Sequence, residues 1–367
     1  AQSIQEELKQ LIRDLCAIPA PSHQEQKRAA YVKNWLEQQG AQGVYIDEAL
    51  NVIYPIGVRE NNGLVVFAAH SDVVFPDTEK LPLRVEDGRI YCPGVGDDTA
   101  CVVALLMASK FIAQYDLQPK ERGVLLVINA AEEGLGNLKG TRKLIADYGC
   151  RIREFITFDD HDCHGVNRAV GSRRFRIGID TEGGHSFTAF GNRNAIACLA
   201  SMIDDLYKIQ VPAKGKTTYN VGTICGGTSV NTIAQHAQML YEFRSDERDS
   251  LDAMQTALNN VICKYRDVGL CVTVETVGER PCGANVDTLA MEMMMARADD
   301  ASRRYYGKGI TFGAGSTDCN IPLSVGIPAI CVGVYNGAGS HTREEWVAID
   351  SLLAGQKLAA ELILYHF

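Results

Sequence analysis

No apolar run in this sequence approaches the roughly 18 residues that a membrane-spanning helix requires. Its longest apolar stretches, residues 100–107 and 123–131, have the length of core elements. There is no Cys-x-x-Cys pair among the 12 cysteines, which are scattered from Cys16 to Cys331. A thiolate zinc knuckle and a dithiol redox motif are therefore not expected. Several cysteines, among them Cys101, Cys198 and Cys263, fall inside apolar helical patterns, as buried thiols of a reducing compartment do. Basic charge is in deficit: 36 Lys and Arg stand against 45 Asp and Glu, a formal net charge of −9. That balance argues against a general nucleic-acid binder, which needs a cationic surplus to meet phosphates. Internal repeats and low-complexity segments are also missing. The opening residues show no basic region followed by an apolar one, so a signal peptide is not expected and a cytoplasmic location is.

What is present has ordinary globular proportions. Of the 367 residues 46% are hydrophobic and 22% charged, and this length suits two domains or one large core carrying an insertion. Apolar residues at helical spacing (Ile4, Leu8, Leu11, Ile12, Leu15) predict a first helix over residues 3–16. Ser22 followed by Glu25 reads as a capping box for a second helix running to about residue 39. Strands are expected at residues 43–47, 51–55, 64–69, 124–130 and 155–158, with helices at 99–115 and 138–148. Strands interleaved with helices, several of them continuous apolar runs, indicate an α/β sheet covered on both faces.

The middle of the chain changes character. Residues 173–181 alternate Phe175, Ile177 and Ile179 with Arg174, Arg176 and Asp180, the pattern of a half-exposed strand. A helix at 195–209, strands at 217–224 and 236–244, a helix at 250–265 and a strand at 270–277 complete a β-α-β-β-α-β order, the ferredoxin-like unit. After Pro281 the α/β style resumes with a Met-rich helix (Met291, Met293, Met294, Met295), a strand at 329–334 and a final helix at 349–365. That Met cluster is assigned to core packing. The expected parse is a catalytic domain over residues 1–171 and 283–367, split by an inserted α+β domain over 172–282.

Polar groups stand where these elements meet. The apolar run 64–69 ends in His70-Ser71-Asp72, and residues two apart on an extended chain face the same side. A glycine-flanked turn, residues 93–99, opens a helix with the adjacent carboxylates Asp97 and Asp98. The run 124–130 leads to Glu132-Glu133-Gly134, the run 155–158 to Asp159-Asp160-His161, and the run 329–334 to His341. Taken singly, each has a bland reading: a solvated loop histidine, an acidic pair against a helix dipole, surface glutamates. Together, four strand ends and one helix-opening turn deliver His, Asp or Glu, and open α/β sheets bind ligands outside the carboxyl ends of their strands. Carboxylates gathered in a dry site repel one another unless a cation neutralises them. Two histidines with three or four carboxylates form an N/O donor set suited to Zn²⁺, with Co²⁺ or Mn²⁺ as alternatives. One His and one carboxylate for each ion, plus a shared carboxylate, makes a two-metal site.

In this order the motifs resemble the dizinc metallopeptidase family of peptidase T, glutamate carboxypeptidase, acetylornithine deacetylase and succinyl-diaminopimelate desuccinylase. The similarity runs through His70-x-Asp72, Gly96-Asp97-Asp98, Glu132-Glu133-Gly134, Asp159 and His341. It extends to residues 226–233, 326–330 and 341–346 and thus spans essentially the whole chain. It implies a zinc-peptidase core with a mixed sheet covered by helices, plus an inserted lid and dimerisation domain. It also implies two Zn²⁺ held by His70, Asp97 as the bridge, Glu133, Asp159 and His341, with a cis peptide between Asp97 and Asp98. Glu132 would be the general base and Asp72 the partner that orients His70. His185, within Gly183-Gly184-His185-Ser186, would supply an oxyanion donor, commonly from a partner subunit, while Asn231 and Arg244 would hold the substrate. The run Asp160-His161-Asp162 after Asp159 leaves open a ligand shifted by one residue, and Thr99 stands where many relatives carry Lys. The implied activity is a cytoplasmic exopeptidase or dipeptidase acting on short peptides as a homodimer. The alternatives are an amidohydrolase of N-acyl amino acids with the same metal machinery, or a metal-free binding protein.

Overall fold

The central layer follows from the apolar runs. In the computed structural model, which describes residues 2–367, Leu64–His70 and Gly123–Asn129 are buried along their whole length. Strands without an exposed side chain on either face belong in the middle of a covered sheet. They are neighbours in an eight-stranded sheet whose order is Tyr45–Ile46, Val52–Ile56, Gly123–Asn129, Leu64–His70, Ile152–Phe158, Ala329–Val332, His164–Ala169 and Thr311–Gly315. The four central strands from Gly123–Asn129 to Ala329–Val332 run parallel. Val52–Ile56 and His164–Ala169 flank them antiparallel, so the sheet is mixed. Helix Cys101–Gln114, buried at ten of its positions, packs against Leu64–His70 and against helix Ile349–Leu364. In the Met-rich helix, Thr288–Tyr306, Met291 and Met294 are in the core while Met293 is exposed.

These elements form one compact unit, residues up to Ala169 together with Ala284–Phe367; Val170–Gly283 form another. The second unit carries an antiparallel sheet ordered Thr217–Gly226, His236–Ser245, Gly171–Asp180, Cys271–Arg280. Burial alternates residue by residue along His236–Ser245. Phe175, Ile177, Met239, Tyr241 and Phe243 share a core with Leu199 and Met202 of helix Ala195–Leu206 and with Met254 and Leu258 of helix Arg248–Asp267. Both helices therefore lie on one face, as period-two patterning demands.

Three sequence expectations need correction. Ser22 and Glu25 form no capping box: helix Gln26–Gln38 begins without a side-chain cap. The Ser22 hydroxyl instead donates to Asp72 Oδ2 at 2.6 Å, and Glu25 Oε1 accepts from His23 N and Ala131 N. The buried Asp72 carboxylate claims the Ser22 hydroxyl, and the buried Glu25 carboxylate takes backbone donors of its own, each a stronger demand than an exposed helix end. The helix expected from Thr99 starts at Cys101; residues 95–100 form a wide turn in which Asp97 and Asp98 leave helical geometry. Not all the thiols are buried either, since Cys150, Cys225, Cys263 and Cys271 are exposed. A small sheet made of Gly337–Ala338, Trp346–Ala348, Arg89–Tyr91 and Arg84–Glu86 was not anticipated, its strands being too short for a periodic signal.

Candidate metal centre

Parallel neighbours present their carboxyl ends at one edge of the sheet, and the polar residues collect there. His70 is the last residue of its strand, and Asp159 follows Ile152–Phe158 directly. After Gly123–Asn129 the chain reverses through Ala131, at φ 55°, and delivers Glu132 and Glu133. The turn at residues 95–100 supplies Asp97, and the Asp97–Asp98 peptide is cis. His341 comes from the loop that follows Ala329–Val332.

Asp97 is the centre of the arrangement. Its Oδ1 lies 3.0 Å from His70 Nε2 and its Oδ2 3.1 Å from His341 Nε2. His341 Nε2 is also 3.2 Å from Glu133 Oε1. Ligand-type atoms of His70, Asp97 and Asp159 lie within 4.8 Å of one another; so do those of Asp97, Glu133 and His341, and those of His70, Glu132 and Glu133. The first two triads share Asp97, one imidazole on each of its oxygens. Asp160 is in none of them: its carboxylate is turned to His161, whose ring stacks on His164 with centroids 4.1 Å apart.

Second contacts fix these groups. Asp72 is fully buried; its Oδ1 accepts from Glu132 N at 2.9 Å, and its Oδ2 from Glu133 N at 3.0 Å and from Ser22. Asp72 meets His70 chiefly through its main chain, with the carbonyl 3.0 Å from Nδ1 against 3.5 Å for Oδ1. With Nδ1–H donated to that carbonyl, Nε2 is the nitrogen turned to Asp97, and it is the one that would offer a lone pair to an ion on losing its proton. Asp98 Oδ2 accepts the His70 backbone N–H at 2.8 Å.

The electrostatics are those of crowded anions. Burial, reinforced by Asp98 and Asp97, pushes the Asp159 carboxyl well above its ordinary pKa. Burial takes Glu133 to about 7. Burial opposes ionisation of Asp97 as well, but hydrogen bonds from His341 and His70 outweigh it and hold Asp97 below the carboxylate range. Its contacts with Asp97 and with Glu133 raise His341 to about 10. For His70 burial opposes the charge, yet Asp98, Asp72 and Asp97 prevail and raise it. Protons on the imidazoles thus hold the carboxylates together, a task a divalent cation performs with more charge. Glu133 Oε1, although near His341, has no aligned hydrogen-bond donor, as expected of an atom placed for an ion. The donor set, all nitrogen and oxygen, fits a pair of divalent cations.

A model of "Peptidase family M20/M25/M40" matches residues 66–365. The chain belongs to that family. Family M20/M25/M40 members are hydrolases, and this chain is read as a metal-dependent hydrolase on the match together with the donor cluster. A succinyl-diaminopimelate desuccinylase from Corynebacterium glutamicum is 24% identical over 355 residues, 93% of this chain and 92% of that protein. The fold matches a tripeptidase from Staphylococcus aureus with TM-score 0.78 at 22% identity, covering 98% of this chain and 97% of that one. It matches a Bacillus subtilis M20 protein described as a dinuclear metal-binding peptidase with TM-score 0.66 at 17% identity, covering 100% and 99%.

His185, Asn231 and Arg244 lie in the second unit. Gly184–His185 pairs with Thr232–Ile233, so His185 and Asn231 are neighbours, and Ser186 N donates to Asn231 O at 3.0 Å. His185 is exposed, and its Nδ1 accepts from Phe187 N at 3.2 Å. That contact leaves Nε2 as the N–H donor. Arg244 is not beside them. It stands near the other end of His236–Ser245, opposite Ser172, and pairs with Glu242 at 3.0 Å.

Sequence reasoning singled out neither Glu345 nor Asp318, and it read Ser22 only as a helix cap. Asp318 is buried, bonded to Asn129 and Thr141, and raised to about 6 by burial and by Glu132. Its only sequence signal was a polar residue beside apolar helix Asn320–Ser324.

Proposed function

We propose that this chain is a zinc-dependent exopeptidase or dipeptidase that hydrolyses short peptides. The observation that carries the reading is the pair of ligand triads joined through Asp97, with Glu132 beside His70 and Glu133. In this reading His70, Asp97 and Asp159 hold one ion and Asp97, Glu133 and His341 the other; Asp159, not Asp160, is the ligand. Co²⁺ or Mn²⁺ are alternatives to zinc. Bound there, the two ions supply an acidified water and polarise the scissile carbonyl.

The residues of the chain do the rest. Glu132 takes a proton from the attacking water and returns it to the leaving amine. Asp72 holds the backbone under Glu132 and Glu133 and the ring of His70. The His185 Nε2–H stabilises the oxyanion that develops on the substrate. Asn231 and Arg244 hold the substrate, Arg244 offering its fork to a carboxylate. We place the inserted domain, residues 172–282, as lid and dimerisation domain of a cytoplasmic homodimer, with His185 acting from the partner subunit. Neither nucleic acid nor membrane is assigned as a partner; among the described residues no helix is long and apolar enough to cross a membrane.

The likeness to a succinyl-diaminopimelate desuccinylase over 93% of the chain favours a second reading. In it the same groups cleave an N-acyl amino acid. Purified protein with added Zn²⁺ or Co²⁺, assayed against di- and tripeptides and against N-acetyl and N-succinyl amino acids, separates the two. Turnover of acylated amino acids alone overturns the peptidase reading. Absence of bound metal together with absence of turnover supports a binding protein.

A further inference from the structure

Glu345 is buried at 1% exposure, four residues beyond His341. Its carboxylate reaches across to the turn that bears Asp97. Oε2 accepts from Gly94 N at 2.7 Å, and Oε1 accepts from Gly96 N at 2.9 Å and Asp97 N at 2.8 Å. Its backbone carbonyl accepts from Cys92 N at 3.1 Å, and Trp346 next to it pairs with Tyr91. No Lys, Arg or His pairs with this carboxylate among the described residues. The turn it grips has little freedom. Gly94 sits at φ 75°, and a Cβ on Gly96 would stand 2.7 Å from the Tyr335 ring.

We propose that Glu345 is a positioning residue that makes the two metal positions depend on each other. The ring of contacts is closed. Asp97 Oδ2 faces His341 Nε2, the chain runs from His341 to Glu345, and Glu345 Oε1 returns to the Asp97 backbone. The carboxylate thereby sets the separation between the shared ligand and the ligand unique to the second ion. Groups that orient metal ligands are typically worth about 10- to 100-fold in affinity. A change at Glu345 acts on both ions, because Asp97 belongs to both triads. This inference rests on the reading of Asp97 as the shared ligand.

The test is a Zn²⁺ titration of chelator-stripped protein against a competing indicator dye, for wild type, Glu345→Ala and Glu345→Gln, with the melting temperature of each metal-free protein measured alongside. In Glu345→Gln the amide oxygen still serves Gly96 and Asp97, while the amide nitrogen faces the Gly94 N–H as donor to donor. Glu345→Ala leaves all three N–H groups without this partner. We expect both zinc affinities to fall, by about 10-fold or more in Glu345→Ala and by less in Glu345→Gln. Excess zinc should restore most of the kcat of Glu345→Gln. Unchanged affinities for two ions in Glu345→Gln overturn the proposal whatever happens to the melting temperature, since a purely structural residue lowers the latter alone. Loss at one ion only overturns it as well. Wild type failing to bind two ions would instead remove the two-metal reading itself. Should Glu345→Ala not fold, Glu345→Gln decides.

Discussion

Replacing Asp72 with Asn keeps the shape of a buried side chain and changes only what it can accept. The carboxylate receives Glu132 N and Glu133 N on separate oxygens, with Ser22 on the second. An amide oxygen can keep one of the two backbone donors, and the NH₂ group must then face the other. Ser22 adapts by rotating its hydroxyl, whereas a backbone N–H has no such option. One buried N–H is left unpaired, at about 1–3 kcal/mol, and the surviving bonds lose their charge assistance, about 1 kcal/mol more. A total of about 3 kcal/mol follows, and two consequences can be read separately. In stability, the melting temperature falls by roughly 6–12 °C for a unit of this size. In catalysis, a displaced backbone at Glu132 misplaces the proposed base, and about 3 kcal/mol felt there lowers kcat on the order of 100-fold.

The pH dependence gives an independent check. Burial raises the Asp72 pKa, but the adjacent His70 imidazole, together with hydrogen bonds from Ser22 and the backbone, outweighs it and holds Asp72 below the ordinary carboxylate value. A depressed folded pKa contributes stability that is present above the unfolded value, near 4, and is lost as pH falls through the folded one. Wild type therefore loses this contribution only at acid pH, whereas Asp72→Asn lacks it throughout. Differential scanning calorimetry from pH 3 to 8 with steady-state kinetics on one turned-over substrate measures both. A variant within about 2 °C and threefold of wild type near neutral pH would show that the Asp72 contacts do not hold the site.

Glu132→Ala should keep both metals by elemental analysis and lose on the order of 10²–10⁴ in kcat; retained activity removes Glu132 as the base. His185→Ala should lower kcat by about 10²–10³ with metal content unchanged, and unaltered kinetics would place the oxyanion donor elsewhere. Chelation should destabilise the protein more as pH rises. Burial lifts Glu133 to about 7 and Asp159 well above normal, so the stripped fold binds more protons than the unfolded chain and weakens as pH climbs from about 4.5 to 7. Cation binding is strengthened by the same deprotonation. A zinc-induced thermal shift that does not grow between pH 5 and 7.5 would contradict this account.

The sequence made the sheet legible because fully buried parallel strands read as unbroken apolar runs, and a run has two ends. His70, Glu132, Glu133 and Asp159 each stand within four residues of the end of such a run. Parallel neighbours must bring those ends together. The split ferredoxin-like unit was equally readable, since one wet face forces alternation along His236–Ser245. Asp97 was visible only as half of an acidic pair beside glycines, and nothing local distinguished it from a helix cap.

What stayed hidden has a common physical origin. Ser22 and Glu25 have the spacing of a capping box, yet both side chains serve buried partners far along the chain, 50 and 106 residues away. Glu345 bonds the Asp97 turn across 248 residues. The small sheet beside it consists of two- and three-residue strands. Spacing rules capture demands a segment makes on itself, such as satisfying its own helix end or burying its own face. A carboxylate fully removed from water makes a larger demand, about 1–3 kcal/mol for each donor left unmet, and recruits donors from wherever the fold brings them near. Asp72 and Glu345 each hold three such bonds. The ligands of a metal centre therefore announce themselves at strand ends, while the groups that hold the ligands still become visible only once the chain has folded around them.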